Sequence, residues 1–224
     1  MRTIYLIPIR NGSKGVPNKN MKILGGKPLT AHVIDTLIST GTEDQIWVAT
    51  DSDEAERYLS GAYGGRVSIY RRSDESARDE SPVMEVILEF LRAEKLSEGM
   101  FVLVQATSPF TSVEDFRHLQ QEMAVGKHDS YVACQRVKKF AWSDRGEPLS
   151  YRLDAKPRRQ DYCGILLEAG AFHATRIEAL RQSGLLLSGR IKPIETSALS
   201  GMEIDEKDDW LLAETICRTS DNQP

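Results

Sequence analysis

Ile4-Tyr5-Leu6-Ile7-Pro8-Ile9 runs directly into Arg10-Asn11-Gly12-Ser13-Lys14-Gly15-Val16-Pro17-Asn18-Lys19-Asn20. The first six residues are apolar almost throughout and rich in β-branched side chains, the pattern of a strand buried on both faces. The segment that follows combines the cations Arg10, Lys14 and Lys19 with two glycines and a serine. Backbone N–H groups in such a turn can face a polyanion while the cations neutralise it, and a triphosphate fits that description. A solvated lysine-rich loop is the plain alternative, but the position directly after the opening strand favours the anion site. The spacing is not that of a Walker loop, since the closing Gly-Lys-Ser or Gly-Lys-Thr is missing, nor that of the dinucleotide fingerprint.

Outward from this segment, strands alternate with helices. Leu29, Val33 and Leu37 recur at helical spacing, predicting a helix over 29–38 with Gly41 as its stop. Strands are expected at 46–49, 67–70 and 100–105, and helices at 53–59, 82–94 and 113–124. Ser81 is read as the cap of the 82–94 helix, with Pro82 at its first position, and Ser112 as the cap of the next. A strand at 131–135, a weaker one at 170–174, a short helix at 176–181 and a last helix at 208–217 complete the series. Such alternation predicts an α/β three-layer sandwich with a mostly parallel sheet and right-handed crossovers. Ligands then bind beyond the carboxyl ends of the strands, in the loops after Ile9, Ala49, Tyr70 and Gln105.

With 224 residues, the chain is long enough for one sizeable core, and a single domain over 1–224 is expected. The net charge of −4 gives no broad basic face, so no nucleic-acid partner is expected and any anion site must be local. No apolar run approaches membrane-spanning length and no signal peptide is evident, which predicts a cytoplasmic protein without membrane contact. Cys134, Cys163 and Cys217 are too few and scattered for a disulfide framework and are read as reduced, half-buried thiols. His32, His118, His128 and His173 show no metal-ligand spacing and are read as structural.

The opening loop resembles the first motif of the CMP-sialic acid synthetases, or acylneuraminate cytidylyltransferases. Arg10, Ser13, Lys14, Gly15, Pro17, Lys19 and Asn20 match it in register. Further matches follow in order. Arg72 with Asp79 resembles the family's arginine segment, although Ser73 stands where proline is usual. Gln105-Ala106-Thr107-Ser108-Pro109 resembles a Gln-Pro-Thr-Ser-Pro motif. Arg159-Gln160 with Gly170-Ala171 resembles a later one, with Leu166 and Ala169 replacing a tyrosine and an asparagine. Glu203-Ile204-Asp205 resembles an Asp-Ile-Asp pair.

The resemblance implies a Rossmann-like nucleotidyltransferase and assigns Arg10, Gly12, Ser13, Lys14, Lys19, Asn20, Arg72 and Ser81 to the nucleotide. It assigns Gln105, Thr107, Ser108, Arg159 and Gln160 to the sugar acid, and Arg10, Lys19 and Asp205 to catalysis. Asp205 and Glu203 would hold Mg²⁺; on an extended segment, residues two apart project to the same side. Without the resemblance, acidic residues before a helix read as N-terminal dipole partners. Residues 136–162 break the α/β pattern and read as an insertion. The family's dimer-forming extension falls here, so Phe140, Trp142 and Tyr151 are expected against a second subunit of a homodimer. Arg71, Arg78 and the run from Lys156 to Arg159 are read as an exposed charged face.

The reaction implied is attack by the anomeric hydroxyl of a nonulosonic acid on the α-phosphorus of CTP, with pyrophosphate leaving. Related acceptors remain open, namely KDN, legionaminic, pseudaminic or KDO-like acids. A nucleotide-binding module without catalysis is the alternative of another class.

Overall fold

The computed structural model describes residues 2–12, 15–42, 45–78 and 80–220. In chain order it contains β1 (Thr3–Pro8), a small hairpin of β2 (Ile23–Leu24) and β3 (Lys27–Pro28), α1 (Leu29–Ile38), β4 (Ile46–Thr50), α2 (Asp53–Tyr63) and β5 (Ser68–Arg71). There follow α3 (Val83–Ala93), β6 (Met100–Val104), α4 (Val113–Val125), β7 (Ser130–Val137), β8 (Ile165–Arg176), α5 (Ile177–Ser183), β9 (Ile191–Thr196) and α6 (Lys207–Ser220). The main sheet has the order β5-β4-β1-β6-β8-β7-β9. All its pairings are parallel except those of β8, which runs antiparallel to both β6 and β7.

Burial on both faces explains the unbroken apolar run of β1. Tyr5 and Ile7 join one core with Val33 and Leu37 of α1 and Phe116 and Leu119 of α4. Ile4 and Leu6 point to the other face and pack with Val86 and Phe90 of α3 and Ile177 and Leu180 of α5. Each fully buried Leu, Ile or Phe contributes about 1.5–3 kcal/mol relative to exposure, so this doubly covered strand anchors the sandwich. A third cluster joins Val16, Leu24 and Leu29 to Ile204, Trp210 and Ala213, fastening the segment after β1 to α6.

Ser112 caps α4 with a reciprocal capping box to Asp115. Ser81 does not cap α3. Pro82 occupies the cap position, and the Ser81 hydroxyl donates instead to the carbonyl of Glu75 at 2.5 Å. Only the middle of β8 was expected as strand. Its first part pairs with β7 alone and leaves Leu166 and Leu167 partly in water, so its apolar pattern reports no core. β9 has no predicted counterpart, because Pro193 interrupts the run and argues against a strand except at an edge, where β9 lies.

Between β7 and β8 the chain leaves the sandwich for residues 138–164, which carry a bridge between Trp142 and Pro148 and a single turn at Leu153–Ala155. Phe140 meets Tyr151 edge-on and lies tilted against Tyr162, Trp142 meets Tyr151 edge-on, and the Lys156 ammonium sits over the rings of Phe140 and Tyr151. Cys134 is buried and Cys217 half-buried, whereas Cys163 is exposed, unlike the half-buried thiol expected. Among the described residues no helix is long and apolar enough to cross a membrane.

Candidate active site

A cavity of about 450 Å³ opens beside the carboxyl end of β1. Its wall includes Arg10, Gly15, Lys19, Asn20, Arg72, Arg78, Ser81, Gln105, Thr107, Asp205 and Glu206. The segment after β1 reaches it by a tight reversal. Asn18 adopts a left-handed conformation (φ 50°) and starts a short turn over Lys19–Met21, which buries Lys19 and Asn20. Asn20 donates through Nδ2 to the Arg10 carbonyl at 3.2 Å and accepts at its own carbonyl from Thr30 at 2.8 Å. The Asn11 N–H donates to Asp51 Oδ1 at 2.9 Å, tying the loop to the end of β4.

Lys19 Nζ donates to the Ile204 carbonyl at 2.6 Å and to Asp205 Oδ1 at 3.0 Å. Its side chain is 10% exposed and that of Asp205 67%, so the lysine forms the floor of the ion pair and the carboxylate its open side. Gly15 makes the approach possible, since a Cβ there would lie 2.1 Å from the Asp205 carbonyl oxygen. Asp209, in the first turn of α6, accepts from the N–H groups of Asp205 at 3.0 Å and Glu206 at 2.8 Å. Those two bonds hold its carboxyl below the usual carboxylate range. The helix-start role weighed for the acidic cluster thus falls to Asp209.

The opposite wall comes from the loop after β5. Arg72 is 8% exposed; its guanidinium donates to the Ser76 carbonyl, while Nε has no partner. Burial lowers its pKa, Asp51 and Glu89 raise it, and nearby Arg10 lowers it further. A buried N–H without an acceptor is costly. Arg10 Nη1 reaches the Arg78 carbonyl at 3.4 Å, closing the two loops over the cavity. The site therefore sets Arg10, Lys19, Arg72 and Arg78 around a polar cleft whose acidic wall is Asp205 and Glu206.

Arg10, Lys19, Asn20, Arg72, Ser81, Gln105, Thr107 and Asp205 are thus brought together on one wall system. Ser13, Lys14 and Asp79 lie outside the described residues. Gly12 is exposed and adopts φ 86°. Ser108 departs from its expected sugar contact, being fully buried with its hydroxyl unpartnered. Arg159 and Gln160 are exposed in the 138–164 segment and do not line the cavity. Glu203 accepts from the Gly170 N–H at 2.7 Å, which the offset between β7 and β8 frees from the β7 ladder. Arg78, read as part of a charged face, lines the cavity, while Arg71 is paired with Asp53 and Glu56 at the surface as expected. Glu206, Asp209 and Asp51 carry no motif of their own and were visible only through their neighbours.

No group of three or more His, Cys, Asp or Glu among the described residues forms a ready metal cage. Mg²⁺ does not require one: it keeps several waters and takes one or two carboxylates with substrate phosphates, a set that Asp205 and Glu206 fit.

Residues 4–184 match the cytidylyltransferase family. The chain belongs to that family. N-acylneuraminate cytidylyltransferase B of Danio rerio is 34% identical over 216 residues, covering 93% of this chain and 50% of the relative. A Streptococcus agalactiae N-acylneuraminate cytidylyltransferase is 28% identical over 219 residues, covering 94% of this chain and 52% of its own. The chain spans about half the length of these relatives. It matches the CMP-N,N'-diacetyllegionaminic acid synthase of Legionella pneumophila at 30% identity over 96% of both chains. Among solved structures, a CMP:2-keto-3-deoxy-manno-octonic acid synthetase complexed with CTP superposes with TM-score 0.69 at 18% identity, covering 98% of this chain and 100% of that one. The expected Rossmann-like cytidylyltransferase fold and the resemblance to CMP-sialic acid synthetases are both borne out.

Proposed function

We propose that this cytidylyltransferase-family chain transfers CMP from CTP to the anomeric hydroxyl of a sialic-acid-type nonulosonic acid and releases pyrophosphate. The observation that carries the reading is the contact between Lys19 and Asp205, 186 residues apart, inside the same cavity as Arg10 and Arg72. The acceptor oxygen bonds to the α-phosphorus as the bond from that phosphorus to the pyrophosphate oxygen breaks. The acceptor's proton leaves with no side chain assigned as its base. Arg10, Lys19 and Arg72 bind and orient the triphosphate and stabilise charge building on the leaving group, while Gln105 and Thr107 face the acceptor side. Mg²⁺ held by Asp205 would supply neutralisation of phosphate oxygens.

The 138–164 segment exposes Trp142 at 50%, Leu149 at 67% and Leu153 at 71%, which supports a homodimer formed through it. The match to a legionaminic acid synthase over 96% of both chains favours a second reading of the acceptor. Incubation with CTP, Mg²⁺ and a panel of nonulosonic acids, followed by pyrophosphate assay and mass analysis, tests both. A CMP-sugar from N-acetylneuraminate supports the first, and preferential use of legionaminic acids replaces it with the second. CTP binding without pyrophosphate from any acid would mark a binding module.

A further inference from the structure

Residues 73–78 enter none of the three apolar clusters, and their loop lines, together with α3, a second cavity of about 700 Å³. Hydrogen bonds tie it to its surroundings, and three bonds, two of them from this loop, end on one carboxylate. Glu89 of α3 accepts at Oε1 from the Ser73 N–H at 2.9 Å and from the Tyr70 hydroxyl at 2.7 Å. Its Oε2 accepts from the Ser73 hydroxyl at 2.7 Å. Ser73 passes the constraint on, because its Oγ accepts from the Ser76 N–H at 3.2 Å and its carbonyl from the Ala77 N–H at 3.1 Å. Ser76 then offers its carbonyl to the Arg72 guanidinium. Glu75 and Arg78, in the same loop, hold Ser81 and Arg10 through their carbonyls.

We infer that Glu89 is a positioning residue: with Ser73 it forms a clamp that sets Arg72, Arg78 and Ser81 on the wall of the nucleotide cavity. The inference rests on the CTP reading above. Burial alone would raise the Glu89 carboxyl, but the bonds from Ser73, Tyr70 and Ser76 bring it below its ordinary range, as expected of a carboxylate kept charged to hold donors. Proline at 73 would lack both the N–H and the hydroxyl that make the clamp.

Glu89→Gln keeps the shape of the side chain and removes the charge, and Ser73→Ala removes the hydroxyl that bonds Glu89 and accepts from the Ser76 N–H, while keeping the Ser73 N–H bond and leaving α3 untouched. In the nucleotide-free protein, both variants are expected to speed amide exchange over residues 73–78 while leaving the β1 and β6 amides protected. The KM for CTP should rise about tenfold in Glu89→Gln and less in Ser73→Ala, with the KM for the sugar acid little changed and kcat falling alongside because Arg72 also serves the leaving group. A merely structural role would lower the melting temperature and the active fraction without moving KM for CTP selectively. Unchanged exchange over 73–78 in both variants overturns the clamp whatever CTP does. Faster exchange with an unchanged KM for CTP overturns its service to the nucleotide. Wild-type protein that neither binds nor turns over CTP overturns the functional reading itself, and with it the clamp's role there.

Discussion

The cleft and the 138–164 excursion are both rich in charge and both lie outside the regular elements, yet they are built on opposite terms. In the cleft, Lys19, Asn20 and Arg72 are buried and bonded to backbone carbonyls, that of Ile204 on the far side of the chain for Lys19 and those of Arg10 and Ser76 in their own loops for the other two, so each polar group is held by the fold of a single chain. In the excursion, Arg152 and Arg158 pair with Asp154 and Asp161 two or three residues away, and its leucines face water. Long-range bonds to backbone preorganise a site; short-range ion pairs at the surface contribute little and specify less. The difference fits the proposal that the cleft is built within one chain while the excursion meets a second.

The strongest way to break this contrast is at the ion pair. Asp205→Ala should lower kcat by about 100- to 1000-fold, the scale of removing one preorganised electrostatic group. Steady-state kinetics with saturating CTP checks it, and a change of only a few-fold would remove Asp205 from the chemistry. Gly15→Ala should act on the same place from the backbone. The added methyl would collide with the Asp205 carbonyl, destabilising by about 1–3 kcal/mol as overpacking does and cutting turnover about tenfold. Thermal melts beside kinetics report both, and wild-type values for each would show that the two loops need not touch. The smallest effect on turnover is expected from Leu149→Asp with Leu153→Asp. Light scattering should show a single-chain mass where the parent shows two, with CTP turnover retained; a parent that is already monomeric ends the proposal of an interface there.

The sandwich was legible because its strands are buried on both faces, so Ile4–Ile9 and 100–105 stand out as apolar runs without knowledge of their neighbours. Residues 165–168 and 191–196 were not, since a strand at or beyond the sheet's edge needs no apolar pattern and β9 even tolerates Pro193. Within the site, Arg10, Lys19, Arg72 and Asp205 could be read from motif and position. The turn of Glu203 toward Gly170 could not, because it depends on a register offset between β7 and β8 that no local spacing encodes. Glu89 was hidden for a related reason: mid-helix, it looks like any solvated glutamate until the loop folds back onto it.

Pro193 carries one more consequence. Among the described residues β9 is an end strand of the sheet and no strand pairs with its outer side, which would make it a template for recruiting strands of other molecules. A proline amid Lys192 and Glu195 withholds a donor and puts charge along that margin, so continuous growth of the sheet from copy to copy is discouraged. Sheet growth between copies is thereby disfavoured at this margin, and the homodimer proposed above would close through side chains elsewhere on the molecule.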